Sequence, residues 1–357
     1  MTTTTAPTAT LDQRVLDATT GALELFGIYL GNRLGLYAAL HRQPGSTLSD
    51  LAAAAGIAPR YAQEWLEQQA VAGVLEVDDV SAAPEARRFT LPDAHVGIVL
   101  NPVALDHLAP LTQMVVGIAA RLGDVADAYR SGGGVPYASY GPEFRAGQGG
   151  INRPAFTSAL VEEWLPALGP TAERLAGGGR LADLGCGQGW STIAVARAYP
   201  KADVCGFDLD PASIDEARTI ADEHQVAARF DVGDAAGLTA KGPFDVALIL
   251  EALHDMSRPV EVLTAVRAAL SADGALLVAD EAVAPTFTAP GDDLERMMYG
   301  WSITHCLPAA MAEQPSAATG TVLRESTVRS MGLAAGFRRV EVLDVDGGFF
   351  RIYGLRP

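Results

Sequence analysis

A glycine-rich turn with an acid in front of it is the first segment whose composition could bind a ligand. The chain reads Asp-Leu-Gly-Cys-Gly-Gln-Gly at 183–189, directly after an apolar run. Glycine lets the backbone turn sharply and approach a ligand closely, so Gly185, Gly187 and Gly189 predict such a turn. Asp183 precedes the first glycine by two residues, where it could meet a cationic group. The turn alone is also typical of dinucleotide sites and could be purely structural.

Two more acids follow at the ends of the next two apolar runs. Asp208 ends the stretch Gly-Phe-Asp, and a carboxylate there can accept hydrogen bonds from two ribose hydroxyls. Asp234 stands in Gly-Asp-Ala at 233–235, where it could accept from an adenine amino group. No basic residue lies near the glycine turn, which argues against a pyrophosphate. Three carboxylates instead suit a sulfonium amino acid joined to adenosine.

A histidine follows the fourth apolar run of this region. The chain reads Glu-Ala-Leu-His-Asp-Met-Ser at 251–257, and ligands of open α/β sheets gather at the carboxyl ends of strands. A histidine near its ordinary pKa of about 6.5 can remove a proton from a hydroxyl. We therefore predict that His254 is a general base. The alternative is that His254 only caps the helix that follows.

Alternating apolar runs predict the elements that carry these residues. We expect strands at 180–184, 203–208, 228–232, 244–250 and 275–280, with helices at 191–198, 211–224 and 259–270. Short, continuously apolar strands indicate a sheet covered on both faces, and the alternation indicates parallel βαβ units. Segments 338–343 and 349–355 predict a closing hairpin.

The first hundred residues have a different organisation. Helical periodicity covers 11–40, Thr47 with Asp50 resembles a capping box, and a further helix is expected to end near residue 72. Short strands at 74–77 and 88–91 complete a winged-helix pattern. The third helix of that pattern carries Glu64 and Glu67 against one arginine, which disfavours DNA binding and favours dimerisation or a scaffold role.

The middle of the chain is predicted to be helical from 92 to 130 and again from 153 to 176. Between them, 131–150 is glycine-rich and is predicted to be a loop. This loop contains Tyr137, Tyr140 and Phe144. It could be a linker, or a lid that closes aromatic side chains on a ligand.

Bulk composition excludes several classes of protein. The 357 residues carry a net charge of −17, which repels phosphate backbones and disfavours nucleic acid as a partner. No apolar stretch reaches the roughly 20 residues of a membrane span, so no membrane association is expected. Residues 1–10 are expected to be a disordered tail. Three cysteines without a CxxC spacing indicate reduced thiols in a cytoplasmic protein.

In combination, the glycine turn, Asp208, the Gly-Asp-Ala segment and Phe-Asp-Val-Ala at 244–247 resemble the class I S-adenosylmethionine-dependent methyltransferases. The resemblance covers about 150–357. It implies an α/β fold with a seven-stranded, Rossmann-like, doubly wound sheet whose last strand is antiparallel. It implies S-adenosylmethionine as cofactor, with the methionine part near Asp183 and Gly185, the ribose near Asp208 and the adenine near Asp234. The expected cofactor-binding residues are Asp183, Gly185, Gly187, Gly189, Asp208, Leu209, Asp234, Ala235 and Glu251.

A winged-helix domain ahead of such a sheet is similar to small-molecule O-methyltransferases and to actinobacterial two-domain methyltransferases. This resemblance implies a homodimer and a small-molecule acceptor. It also implies a carboxylate after the fifth strand that orients the imidazole, for which Asp280 is our first choice and Glu281 the second. The expected acceptor pocket comprises Tyr140, Phe144, Met298, Trp301 and His305.

Two other functions remain open at this stage. A metal held by His254, Asp255 and His305 would favour C-methylation of a 2-oxo acid, because a metal polarises a bound enol or carboxylate oxygen. Otherwise the chain could be a winged-helix regulator that senses the cofactor. The sequence does not indicate whether O, N or C is methylated. The expected division is a tail at 1–10, a winged-helix domain at 11–100, a linker at 101–150 and a catalytic domain at 151–357.

Overall fold

The computed structural model describes residues 10–234 and 237–357. The chain divides into two compact units, one ending at Val116 and the other spanning Gly117–Pro357. The finer four-part division expected above stays a prediction. Within the described residues, no helix is both long enough and apolar enough to cross a membrane.

The first unit is helical with one small hairpin. Its elements are α1 (Leu11–Arg33), α2 (Leu36–Arg42), α3 (Leu48–Ala55), α4 (Pro59–Val71), β1 (Glu76–Val77), β2 (Phe89–Thr90), α5 (Asp93–Leu100) and α6 (Pro110–Ala119), whose last residues belong to the second unit. The predicted capping box forms, because Thr47 and Asp50 bond reciprocally at the start of α3. The core of this unit includes Tyr37 and Trp65, whose rings meet edge to face at 5.1 Å.

The second unit begins with helices and continues as an alternating α/β domain. The helical part consists of α7 (Leu122–Ser131), α8 (Gly141–Thr157) and α9 (Pro170–Ala176). The alternating part consists of β3 (Arg180–Leu184), α10 (Trp190–Ala198), β4 (Asp203–Asp208), α11 (Pro211–Glu223), β5 (Arg229–Val232), β6 (Phe244–Leu250), α12 (Pro259–Ala269), β7 (Leu270–Glu281), α13 (Asp293–Trp301), α14 (Leu307–Ala310), α15 (Glu325–Ala334), β8 (Arg339–Val342) and β9 (Phe350–Arg356).

The seven long strands form one sheet in the order β5-β4-β3-β6-β7-β9-β8. Strands β3 to β7 are parallel, and β9 is antiparallel to both β7 and β8. The predicted α/β class, the doubly wound sheet and the antiparallel last strand are therefore confirmed. From β3 the chain adds β4 and β5 on one side and then returns to place β6 on the other side of β3. The strand order therefore reverses between β3 and β6, which is where open sheets bind ligands.

The prediction of a loop at 131–150 holds for 132–136 and is wrong for 141–150, which are helical. Residues 137–140 form a 3-10 turn, and α8 begins at Gly141 with a proline in its first turn. Proline is well placed there because the first amides of a helix have no intrahelical partner. Inside α8, a Cβ on Gly149 would come within 1.8 Å of Gln188, so glycine permits close packing here and does not mark a loop. The local glycine content was misleading because tertiary packing overrides propensity.

The helix expected at 153–176 is interrupted. Helix α8 ends at Thr157, a π-helical turn spans Leu160–Trp164, a 3-10 turn spans Pro166–Leu168, and only then does α9 begin. Pro166 and Pro170 each lack the amide hydrogen that a continuous helix needs, so each starts a new turn. These short turns bury Leu160, Trp164 and Leu168 against one face of the sheet.

Candidate active site

The glycine turn connects β3 to α10 in a conformation that other residues would strain. The φ angles are +70° at Gly185, +51° at Gly187 and +79° at Gly189, all in the left-handed region. A Cβ at Gly185 would lie 2.7 Å from the Ala252 Cβ, whereas a Cβ at Gly187 would meet nothing within 4 Å. The backbone at Gly187 therefore faces open space. This is the shape that close approach of a ligand requires.

Asp183 is buried beneath this turn. Its Oδ2 accepts hydrogen bonds from the Ser191 hydroxyl at 2.5 Å and the Thr192 hydroxyl at 2.6 Å. Burial raises the pKa of Asp183 to about 6, and the two hydroxyls oppose the rise. Asp183 thus fastens the first turn of α10 to the end of β3, a structural contribution that sequence reasoning did not find.

Asp208 ends β4 and connects two backbone segments. Its Oδ2 accepts from the Gly187 amide at 2.8 Å, and its Oδ1 accepts from the Asp210 amide at 2.8 Å. The carboxylate therefore lies against the glycine turn, as a residue that binds a ribose beside that turn must. Burial raises its pKa, and the two amides oppose the rise.

The residues expected near an adenine lie on loops after β4 and β5. Leu209 is 61% exposed, so its side chain is available to a ligand in this structure. Asp234 is also exposed, and its Oδ1 accepts from the Gly237 amide at 3.4 Å. Ala235 lies outside the described residues. The roles of these three residues in binding adenine stay predictions.

His254 is buried in a 3-10 turn directly after β6, surrounded by carboxylates. Its Nδ1 lies 2.9 Å from Asp280 Oδ1 and 3.3 Å from Glu281 Oε2, both at the end of β7. Its Nε2 lies 3.4 Å from Asp255 Oδ1. The N-cap of the following helix is Arg258, so His254 does not cap it. The structure thus brings His254 together with Asp280 and Glu281, which lie more than 25 residues further along the chain.

The expectation of an ordinary pKa for His254 is wrong. Burial opposes its protonation, but the charges of Glu281, Asp280 and Asp255 outweigh this and raise its pKa well above 6.5. Burial in turn raises the pKa of Glu281 and of Asp255, and the positive charge of His254 opposes both shifts. The negative charges of several buried acids thus favour the protonated form of one imidazole.

Some oxygens of this cluster have no hydrogen-bond partner. Asp255 Oδ1, Asp280 Oδ2 and Glu281 Oε2 are buried atoms in this state. Buried polar atoms normally find a partner, so atoms without one commonly mark a place where a ligand, a water or an ion completes the site. The cluster around His254 therefore has unused capacity to accept hydrogen bonds.

The alternative metal set of His254, Asp255 and His305 is not among the groups of ligand atoms that the described residues bring together. Among the described residues, ligand atoms lie within 4.8 Å of one another in two triads, His254–Asp255–Cys306 and His254–Asp280–Glu281. His305 belongs to neither, because its ring packs against aromatic side chains instead. Cys306 takes the third position in the first triad, a residue that sequence reasoning did not consider for it.

Glu251, at the end of β6, has an unusual backbone conformation. Its φ is +49°, and its carboxylate accepts a hydrogen bond from Asn152 of α8. Burial raises the pKa of Glu251 to about 7, opposed by the charge of His254 and the Asn152 bond. Asn152 was missed in the sequence because 99 residues separate it from Glu251.

Three of the five residues expected in the acceptor pocket form one aromatic wall. The His305 ring stacks on Phe144 at 4.0 Å and meets Tyr140 edge to face at 4.4 Å. The Tyr140 hydroxyl donates to the Thr304 carbonyl at 3.0 Å. Burial lowers the pKa of His305 to about 3, so it is neutral, and its Nε2 has no hydrogen-bond partner. Tyr137 also contacts this wall, with its ring 5.9 Å from His305.

The other two expected pocket residues lie on α13. Met298 is buried and Trp301 is half-buried, in the helix that leads into the π-helical turn of His305. Whether they line the acceptor pocket stays a prediction.

Comparison with known proteins agrees with this architecture. Residues 176–322 match a family model described as a methyltransferase domain, and residues 21–100 match one described as an Rv2258c-like winged HTH domain. A trans-aconitate 2-methyltransferase of Methylobacterium nodulans is 31% identical over 104 residues, which are 29% of this chain and 39% of that protein. The match thus spans well under half the length of that relative.

Solved structures of other methyltransferases resemble the whole chain, among them the following two. Human N-acetylserotonin methyltransferase in complex with SAM has a TM-score of 0.69 at 16% identity, with 99% of each chain covered. The mitomycin 7-O-methyltransferase MmcR has a TM-score of 0.65 at 20% identity, with 97% of each chain covered. At these identities the likeness shows a shared fold.

Residues 176–322 therefore carry a methyltransferase domain, and a winged-helix domain precedes it in the sequence. The predicted enzyme class, a methyltransferase, and the predicted winged-helix domain are confirmed, and S-adenosylmethionine is the cofactor that the sequence predicts. The residues present fit this cofactor, because the open glycine turn at Gly187 lies against the carboxylate of Asp208.

Proposed function

We propose that this protein transfers a methyl group to a hydroxyl of a small-molecule acceptor, with His254 as general base. One observation carries the proposal: the Nδ1 of a buried histidine lies 2.9 Å from Asp280 at the sheet edge where substrates bind. A carboxylate on Nδ1 holds the imidazole in the tautomer that leaves Nε2 free to accept a proton.

The cofactor, when bound, supplies a methyl group already activated on a sulfonium. The protein's own residues would then align the reactants and remove one proton. The Gly185–Gly189 turn and Asp208 would hold the adenosyl part, and the wall of Tyr140, Phe144 and His305 would hold the acceptor. Alignment of bound reactants lowers the barrier by several kcal/mol. His254 Nε2 would take the hydroxyl proton, for which His254 has to be neutral beforehand.

The proposal is tested by replacing the base. We expect His254→Ala to lower kcat by about 10²–10⁴, the usual contribution of a positioned base, with the affinity for S-adenosylhomocysteine (SAH) within about twofold. Turnover is measured with labelled S-adenosylmethionine on a panel of phenols, hydroxy acids and 2-oxo acids, and affinity by calorimetry. His41→Ala, at an exposed histidine of α2, is the control. Activity that survives His254→Ala would exclude the general-base role.

A second candidate is metal-assisted C-methylation of a 2-oxo acid. The triad His254–Asp255–Cys306 favours it, because imidazole, carboxylate and thiolate form a ligand set for a transition metal. Metal analysis of the purified protein separates the two candidates. Stoichiometric iron or zinc that is lost in Cys306→Ser supports the second, and an active metal-free protein supports the first.

A cofactor-sensing regulator that binds DNA is less well supported. On α4, the helix expected to enter the groove, Arg60 is paired with Glu64 of the same helix, and Glu67 pairs with Arg87. Because these acids compensate the nearby arginines, α4 offers little net positive charge to neutralise the phosphates of DNA. A gel shift with genomic DNA that weakens with salt would revive this function.

We also propose that α1 mediates homodimerisation. Helix α1 spans 23 residues, and a series of large apolar side chains along it is exposed, comprising Leu11, Val15, Leu16, Leu23, Phe26 and Leu30. Exposed apolar surface of this extent is typical of a protein interface. In sedimentation experiments we expect a dimer, and we expect Leu23→Glu to give a monomer while Leu122→Glu, at an exposed leucine of α7, does not.

A further inference from the structure

The aromatic wall belongs to a segment that also reaches the cofactor site. We define residues 137–145 as the aromatic segment, which comprises the 3-10 turn Tyr137–Tyr140 and the first turn of α8. Tyr140 and Phe144 of this segment contact His305 on the acceptor side. Burial raises the pKa of Tyr137, and the charge of Asp208 adds to the rise. The segment therefore contributes two side chains to the acceptor wall.

Arg145, the last residue of the aromatic segment, makes a buried ion pair. Arg145 Nε lies 2.8 Å from Asp210 Oδ2, and the two side chains are only 9% and 7% exposed. Its Nη1 lies 3.3 Å from Glu216 Oε1. Glu216 lies on α11, and Asp210 is the N-cap of this helix because it accepts a hydrogen bond from the Ser213 amide. One side chain thus ties the aromatic segment to the start of α11.

Asp210 and Glu216 also form hydrogen bonds with residues of the expected cofactor site. Glu216 Oε2 accepts from the Gln188 amide group at 2.8 Å, and Gln188 is part of the glycine turn. The Asp210 backbone amide donates to Asp208 Oδ1 at 2.8 Å. The network therefore runs from the acceptor wall through Arg145 to both halves of the cofactor cradle, the glycine turn and the ribose carboxylate.

We propose that Arg145 is a positioning residue that couples cofactor binding to the placement of the acceptor wall. The coupling rests on the proposed function. Ribose hydroxyls on Asp208 would hold this carboxylate and, through it, the backbone amide of Asp210, whose side chain anchors Arg145. A guanidinium suits the task because it donates to Asp210 and Glu216 at the same time, whereas an ammonium acts as a single point charge. Removing one partner of a buried pair leaves the other uncompensated, so the segment should lose its anchor.

The test measures hydrogen exchange of the aromatic segment with and without SAH. In the unaltered protein we expect SAH to slow exchange of amides at 141–145 at least tenfold. In Arg145→Met we expect this slowing to disappear and the SAH Kd to rise about three- to tenfold, because coupling between two events is reciprocal. Arg145→Lys should restore part of the slowing. Arg130→Met, at an arginine whose side chain is 74% exposed, is the matched control and should behave as the unaltered protein.

A second variant distinguishes a loss of coupling from a folding defect in Arg145→Met. Glu216→Gln changes a side chain that is 37% exposed and breaks the link between Arg145 and Gln188, so we expect partial loss of the slowing. If SAH slows exchange equally in the unaltered protein and in both variants, the coupling role is overturned, even where the variants melt earlier. If the unaltered protein binds no SAH at all, the proposed function fails first, and the two failures are thereby distinguished.

Discussion

The carboxylates at the ends of β3 and β4 differ from those around His254 in the donors that surround them. Asp183 and Asp208 accept from neutral groups, two hydroxyls in one case and two backbone amides in the other. Asp255, Asp280 and Glu281 surround one imidazole and retain oxygens without hydrogen bonds. The first region is a preformed scaffold, whereas the second depends on the charge of a single side chain. Chemistry and pH dependence should therefore concentrate in the second region.

Among the carboxylates of the two regions, the largest effect should come from removing Asp280, which anchors the imidazole. We expect Asp280→Asn to lower kcat about 100-fold or more, because an amide neither stabilises the imidazolium nor enforces the productive tautomer. The SAH affinity should stay within about twofold. Asp273→Asn is the control, since Asp273 lies on the same strand with a side chain that is 81% exposed. A kcat for Asp280→Asn similar to that of the control would contradict the assignment.

A substitution at the ends of β3 and β4 should change the affinity for the cofactor more than it changes kcat. We expect Asp208→Ala to raise the SAH Kd about tenfold or more, equivalent to at least about 1.4 kcal/mol, because the ribose hydroxyls lose their acceptor. At saturating cofactor, kcat should fall less than it does in Asp280→Asn. Asp215→Ala, at a 75% exposed acid of α11, provides the comparison in calorimetry. An unchanged Kd would count against the ribose assignment.

The pH dependence should follow the raised pKa of His254. A base must be unprotonated, so activity is present above this pKa and is lost as pH falls through it. We expect kcat/KM to fall about tenfold per pH unit on the acid side, with a midpoint above 6.5. A profile that stays flat down to pH 6.5 would show that His254 is not the titrating base.

The smallest effect should come from the second carboxylate on Nδ1. Glu281 Oε2 lies 3.3 Å from His254, and its charge contributes to the raised pKa. We expect Glu281→Gln to move the acid midpoint to lower pH while kcat at high pH stays within about threefold. A midpoint that does not move would mean that Glu281 is protonated in the working enzyme.

Sequence patterns predicted well the parts of the site that depend on strand ends. The ends of parallel strands meet at one edge, so the positions of Asp183, Asp208, His254 and Asp280 followed once β3, β4, β6 and β7 were recognised. The roles assigned to these residues still await the experiments above. The sheet itself was predictable because each buried strand is a continuous apolar run.

Contacts that bring helices over the sheet were not predictable. Arg145 and Asp210 lie 65 residues apart, and no periodicity relates them. The glycines of α8 suggested a loop because the packing of Gly149 against Gln188 is visible only in three dimensions. The pKa of His254 was misjudged for a similar reason. Sequence indicated one orienting carboxylate, whereas the fold brings three acids within 3.4 Å of the ring.

The left-handed backbone at Glu251 has a consequence for engineering this chain. A residue with a side chain at φ +49° costs roughly 1 kcal/mol relative to glycine, which adopts this conformation freely. Selection for heat resistance alone would thus favour glycine at position 251 and would erase a carboxylate that Asn152 holds beside the turn of His254. If Glu251 binds the cofactor as predicted, thermostability and ligand binding make opposite demands at this residue, and screens that reward melting temperature should yield well-folded variants that bind SAH less tightly.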